Sequence, residues 1–398
     1  MMVLLIFSIL LALGVTGLFI YGAWLLLRYP SVARKRIVAL ARSLHLIRED
    51  ENPLITSGDA DWEAQGVLNP AAVEVDGKVH LFYRAIGKDG VSRVGYASSE
   101  NGKRFNKLPY PVFALSDEGA DAAFRRSQTM KDHAALVASG GSFAGVEDPR
   151  AVVMDGRMYM TFSAFGGWDS LRMGVTSLAI EDLRANRWRW TPPVYLSPRS
   201  QVHKNWVLFP EKIGGKFAVL HSLHGDSHER VRVDYFDSLD QEPTTHFHSP
   251  DPNSLPDNPH VWHKRVRGAG PPPIKTPFGW LVLYHAIDRN GPSKYKLGAM
   301  LLDLNDPTRV LHRSALPILS PDEWYENSGA KAGVVYACGS VLRGDMLTVF
   351  YGGADSVVCS ARHSLSKLLS ALMHAPERAR SPYLPLSGAS ISGGSFPA

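Results

Sequence analysis

The sequence of 398 residues carries 43 Lys+Arg against 38 Asp+Glu, a formal net charge of +5, and 2 cysteines, Cys338 and Cys359. That length supports a large core, and so few cysteines exclude a disulfide-stapled scaffold or a zinc ribbon. Arg28, Arg34, Lys35, Arg36, Arg42 and Arg48 all precede the first acidic residue, Glu49; removing these six from 43 leaves 37 basic against 38 acidic, so the remainder lacks the basic stripe of a nucleic-acid binder.

Residues 1–28 hold an apolar run, Met1 to Leu27, with no charged side chain. At 1.5 Å per residue such a run is long enough to cross a bilayer core of roughly 30 Å, which predicts a single transmembrane anchor. A cleaved signal peptide is the competing reading, but a basic leading region and a small-residue cleavage site are not evident. The basic cluster behind the run predicts, by the positive-inside rule, a single-pass membrane protein with its folded domain on the cytoplasmic side. Residues 29–51 are expected to form a basic juxtamembrane helix and linker, with Ser31 to Leu46 amphipathic and lying at the membrane surface.

From Asn52 the character changes to short alternating strands separated by Gly, Asp, Asn and Pro, an all-β signature. A unit of strand, tight turn with glycine, and strand ending in an aromatic and a polar residue occurs five times. Its turn glycines are Gly77, Gly156, Gly215, Gly279 and Gly344, at intervals of 79, 59, 64 and 65 residues. This recurrence predicts a five-bladed β-propeller over residues 52–363. The long first interval predicts an insertion from Leu115 to Gly145 over the mouth. Residues 364–398 are expected to form a short helix, Ser364 to His374, and a mobile tail rich in Pro, Ser and Gly.

In a propeller the ends of the inner strands converge on one funnel. The polar residues that interrupt the apolar pattern there are Asn69, Arg84, Asp148 with Arg150, Lys204 with Asn205, His221, His285 and Asp355. A carboxyl group enclosed beside Glu147 is expected to have its pKa raised by burial and like charge, which suits a general acid.

The ordered pieces Leu68-Asn69-Pro70, Glu147-Asp148-Pro149-Arg150, Lys204-Asn205-Trp206 through Lys216, Gly268-Ala269-Gly270, Leu283-Tyr284-His285, Tyr325-Glu326 and Tyr351 to Asp355 together resemble glycoside hydrolase family 130, the inverting β-mannoside phosphorylases and β-mannosidases. The resemblance spans roughly Asn52 to Ser360. It implies that Asp148 is the general acid. It further implies that Asn69, Arg84, Arg150 and Asp355 contact the sugar, with Tyr325 and Glu326 contributing at the mouth. Lys204, Asn205, His221 and His285 would lie on the phosphate or acceptor side, with no metal and no cofactor beyond phosphate as a co-substrate.

Two departures bear on the nucleophile. Ser222 follows His221 where the phosphorylases usually carry arginine, and Val266 stands where lysine is usual, although Lys264, Arg265 and Arg267 crowd that site. These losses favour water or a sugar hydroxyl over phosphate, so a membrane-anchored β-mannoside hydrolase or mannosyltransferase is expected ahead of a phosphorylase. A non-catalytic glycan-binding propeller is the alternative of a different class. Trp168, Trp206 and Trp324 are candidate stacking platforms for sugar rings.

Overall fold

The computed structural model describes residues 39–115, 144–165, 171–198, 203–222, 231–243, 262–289, 291 and 293–374. The first blade consists of Gly66–Val75, Lys78–Ile86, Val91–Ser99 and Asn106–Lys107. The second consists of Ala144–Met154, Arg157–Phe165, Leu171–Ala179 and Val194–Tyr195, and a short parallel pairing of Val91 with Ala144 and Ser92 with Gly145 joins the two. Val207–Leu208, Phe217–Ser222 and Arg232–Phe236 make the third. The fourth is built on His263–Ala269, Gly279–Asp288, Tyr295–Leu302 and Val310–Arg313, and the fifth on Val335–Arg343, Met346–Gly353 and Val357–Ser364. Ile47–Arg48 pairs antiparallel with that last strand, so the N-terminal strand completes the final blade.

Strand alternation builds the ring. Successive side chains point to opposite faces, and here each face packs on a neighbouring blade. In the second strand of the first blade, Val79, Leu81 and Tyr83 join Val341, Phe350 and Val358 of the fifth blade. Phe82, between them, joins Met158, Met160 and Phe162 of the second. Further clusters couple the second blade to the third, the third to the fourth and the fourth to the fifth. The five turn glycines all have positive φ, and at Gly77 and Gly156 the preceding Asp76 and Asp155 do as well. Two successive positive φ values match the two-residue hairpin turn whose twist suits the flanking strands.

A second regularity positions the site. The pairing of the inner strand with its neighbour slips at Leu68/Ala71, Glu147/Arg150, Val266/Gly268 and Ala337/Gly339. Asn69 (φ 48°) and Asp148 (φ 49°) occupy two of these bulges, and Asn205 (φ 62°) precedes the inner strand of the third blade in the same left-handed conformation. A bulge takes a residue out of the face alternation and re-aims its side chain. Polar residues are thereby turned out of the apolar interfaces between blades.

The expected all-β propeller preceded by a transmembrane helix is corrected in two respects. The described chain is mostly β with short helices, among them Ile180–Arg184, Trp324–Asn327 and Leu365–Met373. No helix among the described residues is long and apolar enough to cross a membrane, which withdraws the single-pass placement and the cytoplasmic assignment built on it. Residues 1–28, on which the anchor was expected, lie outside the described residues.

The flank read as juxtamembrane belongs partly to the globular fold. Leu44 and Leu46 are fully buried with Leu365, Leu368, Leu369 and Leu372 of the C-terminal helix, so this apolar face packs on protein. Arg48 pairs with buried Glu326 at 2.7 Å, so its charge serves the fold. Of the insertion expected from Leu115 to Gly145, residues 116–143 lie outside the described residues, as does the tail from 375, while residues 144 and 145 open the strand Ala144–Met154.

Candidate functional site

Asp148 lies at the centre of a buried polar cluster. Its Oδ1 accepts a hydrogen bond from Asn69 Nδ2 at 2.7 Å and one from Arg84 Nη1 at 3.3 Å. Arg84 also donates through Nη2 to Glu147 Oε1 at 2.9 Å and through Nε to Ser92 Oγ at 3.0 Å. The other oxygen of Glu147 accepts from Lys204 Nζ at 3.0 Å. Asn69, Arg84, Asp148 and Lys204, drawn from three blades, therefore form one connected network through Glu147.

The charge balance differs from the sequence expectation. Burial pushes the Asp148 carboxyl up, but Arg84, Lys204 and Arg150, together with the Asn69 hydrogen bond, outweigh it and hold the group below its ordinary value. Glu147 does not supply the expected upward push, because its own charge is spent on Arg84 and Lys204. Asp355 behaves oppositely: burial pushes its carboxyl up to about 6, Asp148 adds to the rise, and Lys331, Arg84 and Lys204 oppose it. Asp355 makes no hydrogen bond or ion pair of its own among the described residues.

Arg150 has a different use from sugar contact. At 1% exposure it donates to the backbone oxygens of Asp148 (2.7 Å), Ala269 (3.2 Å) and Gly270 (3.2 Å) and to Asn205 Oδ1 (2.9 Å). Asn205 is equally occupied: its Oδ1 also accepts from Tyr336 Oη at 2.8 Å, and its Nδ2 donates to the Arg267 carbonyl at 3.0 Å. The two side chains tie the second, third, fourth and fifth blades together beneath Asp148.

His285 stacks on Tyr336 with ring centroids 3.8 Å apart and 10° between planes, and its Nε2 accepts the Ala337 N–H at 2.9 Å. Burial and Arg150 push its pKa down to about 3, so the ring is neutral. With Nε2 accepting, the proton sits on Nδ1. That buried Nδ1–H has no protein acceptor among the described residues. His221 lies apart, edge-on to Trp206 at 4.3 Å and 3.6 Å from Asp234, with its pKa lowered to about 3 by burial, His203 and Arg232.

Tyr325 and Glu326 are held on another network. Glu326 accepts from Arg48, from Tyr351 Oη at 2.8 Å and from the backbone N–H groups of Asp322 and Glu323, which leaves little capacity for a ligand. Tyr325 Oη accepts from Asn52 at 3.4 Å. Trp206 is buried, Trp324 is 68% exposed, and Trp168 lies outside the described residues. Among the described residues no group of three or more His, Cys, Asp or Glu could hold a metal ion.

Two residues at the site escaped the sequence reading. Tyr336 was not among the residues singled out from the sequence. Cys338, read there only for what so few cysteines exclude, feels the charges of Arg150, Asp148 and Arg84 and has its pKa pushed up to about 12 by burial. Its place at the slipped pairing of the fifth inner strand, matching Asp148 in the second, is the signal that an alignment of the five units would have offered.

Comparison with known proteins gives one answer. The model of glycoside hydrolase family 130, described as beta-1,4-mannooligosaccharide phosphorylase, matches residues 125–374. A 1,2-beta-oligomannan phosphorylase from Thermoanaerobacter sp. (strain X514) is 35% identical over 319 residues, 78% of this chain and 93% of that protein. A beta-1,2-mannobiose phosphorylase from Listeria innocua is 31% identical over 377 residues, 83% of this chain and 99% of that protein. A solved structure of a Listeria innocua beta-1,2-mannobiose phosphorylase with beta-1,2-mannobiose superposes with a TM-score of 0.61 at 24% identity, covering 82% of this chain and 99% of that one.

Proposed function

The chain belongs to glycoside hydrolase family 130 and is an enzyme of that glycoside-active kind; on that premise we propose that it is an inverting phosphorylase of β-1,2-linked mannosides with Asp148 as the general acid. The observation that carries the reading is the Asp148 cluster. One buried carboxyl is flanked by Asn69 and Arg84 as sugar-hydroxyl donors and by Lys204 toward the anion side. The linkage is supported by the two relatives above named for β-1,2-mannosides.

In the proposed step an oxygen of inorganic phosphate attacks the anomeric carbon from the face opposite the glycosidic oxygen. The C1–O bond breaks, its electron pair passes to that oxygen, and the oxygen takes the Asp148 proton directly or through a sugar hydroxyl. The products are mannose 1-phosphate of inverted configuration and the shortened mannoside. Without ligands the neighbouring cations keep Asp148 ionised. An incoming phosphate offsets the field of Arg84 and Lys204 and thereby favours the protonated form that the step requires. Phosphate needs cations around it and little base assistance; Lys204 beside the cluster and the relatives named as phosphorylases support phosphate over the water expected from Ser222 and Val266.

Hydrolysis is the second reading. It is favoured by Asp355, whose carboxyl near 6 makes no bond of its own and so could activate water. The test is incubation of the full chain with β-1,2- and β-1,4-mannobiose, with and without inorganic phosphate. Phosphate-dependent mannose 1-phosphate from the β-1,2 substrate is the expected result. Free mannose formed equally without phosphate would sink the phosphorylase reading.

A further inference from the structure

We propose that Lys331, from the segment that leads into the fifth blade, is a phosphate-binding residue of this chain, supplying the cation that Val266 does not. The proposal rests on the phosphorylase reading and adds a ligand contact to it. Val266 is buried in the apolar interface between the third and fourth blades and offers no cation there, while the neighbouring Arg267 of the same strand stands 5.5 Å from the centroid of the Tyr295 ring.

Lys331 stands on the aromatic side chains that pack against His285. Its ammonium lies 4.3 Å from the centroid of the Tyr295 ring, which stands 6.4 Å from the Tyr336 ring, itself stacked on His285. An aromatic ladder thus runs from the unused Nδ1–H of His285 to the Lys331 ammonium.

Lys331 is held only by its backbone and that ring: its N–H donates to the Ala354 carbonyl at 2.9 Å, and its ammonium makes no hydrogen bond or ion pair among the described residues. It is close enough to lower the pKa of Asp355, yet the two do not touch. The Lys331 ammonium and the Asp355 carboxyl, which act on one another through their charges, and the His285 N–H two rings away have no hydrogen-bond or ion-pair partner among the described residues and are left for a ligand. A cation held on an aromatic face keeps its N–H donors available. A phosphoryl group offers the acceptor oxygens that the Lys331 ammonium lacks, and a sugar hydroxyl suits Asp355. The same contact serves inorganic phosphate in cleavage and the phosphoryl group of mannose 1-phosphate in synthesis.

The test compares the full-length protein with Lys331→Met and Lys331→Arg, measuring phosphorolysis against phosphate and against mannoside, synthesis against mannose 1-phosphate, and phosphate binding by calorimetry. Loss of one charged contact is expected to raise the KM for phosphate and for mannose 1-phosphate about tenfold in Lys331→Met. The KM for mannoside should stay within about twofold, and Lys331→Arg should recover most of the loss. An unchanged phosphate KM in a phosphate-dependent enzyme, or a change confined to the mannoside KM, overturns the proposal and leaves the phosphorylase reading intact. A parent protein that neither needs nor binds phosphate overturns both.

Discussion

Asp148 is surrounded by more positive charge than a general acid ordinarily tolerates, and the arrangement has a measurable consequence. If proton donation is its task, Asp148→Asn should keep the fold while lowering turnover of β-mannosides about a hundred- to ten-thousand-fold, read as kcat on purified protein with an unchanged circular dichroism spectrum. Asp355 carries the opposite perturbation, at about 6 against an ordinary 3.8. The folded protein therefore binds that proton more tightly than the unfolded chain. The stability this contributes is fully present below about 3.8 and is lost as pH rises through about 6. Asp355→Asn should accordingly raise the free energy of unfolding measured by chemical denaturation at pH 7, by no more than ~3 kcal/mol, and change it little at pH 4. On the proposed reading, in which Asp355 meets a sugar hydroxyl, activity should fall at the same time.

At the scale of elements, residues 44–48 are integral to the ring. Ile47–Arg48 is the outer strand of the fifth blade, and Arg48 binds Glu326 through both Nε and Nη2. Glu326 in turn caps the helix Trp324–Asn327 and accepts from Tyr351 of the middle strand. Replacing Arg48 by Met leaves a fully buried carboxylate without its cation, a change worth about 3 kcal/mol. A chemical-denaturation midpoint that did not move would show the N-terminal strand to be dispensable. The C-terminal helix, capped by Ser364 and buried through Leu368 and Leu372, covers the neighbouring face of the same core. The strands and their turn glycines were legible from period-2 alternation and from residues that tolerate positive φ. The role of the basic flank was not, because an amphipathic helix beside a long apolar run has the same pattern whether its apolar face meets lipid or protein.

For the whole molecule, five apolar interfaces, one between each pair of neighbouring blades, close the ring and hold strand ends from distant parts of the chain around one opening. The reaction products belong to this scale, since attack on one face and proton donation on the other require groups from several blades at once. Mannose 1-phosphate that appears only with phosphate, and from β-1,2-mannobiose ahead of the β-1,4 isomer, is the expected outcome of product analysis.

By itself the sequence determined the repeat and the family, because turn glycines, strand alternation and the Glu147-Asp148-Pro149-Arg150 motif are local patterns. Tertiary structure alone decided what the polar residues do. Arg150 and Asn205, polar residues expected to meet ligand, bind one another and the backbone across four blades. Glu147, expected to raise the pKa of Asp148, is neutralised by Arg84 and Lys204. Lys331, unremarkable in the chain, comes to lie beside Asp355 and Tyr295. The physical reason is the same in each case: a side chain's partners and local field depend on long-range contacts, which spacing along the chain does not encode.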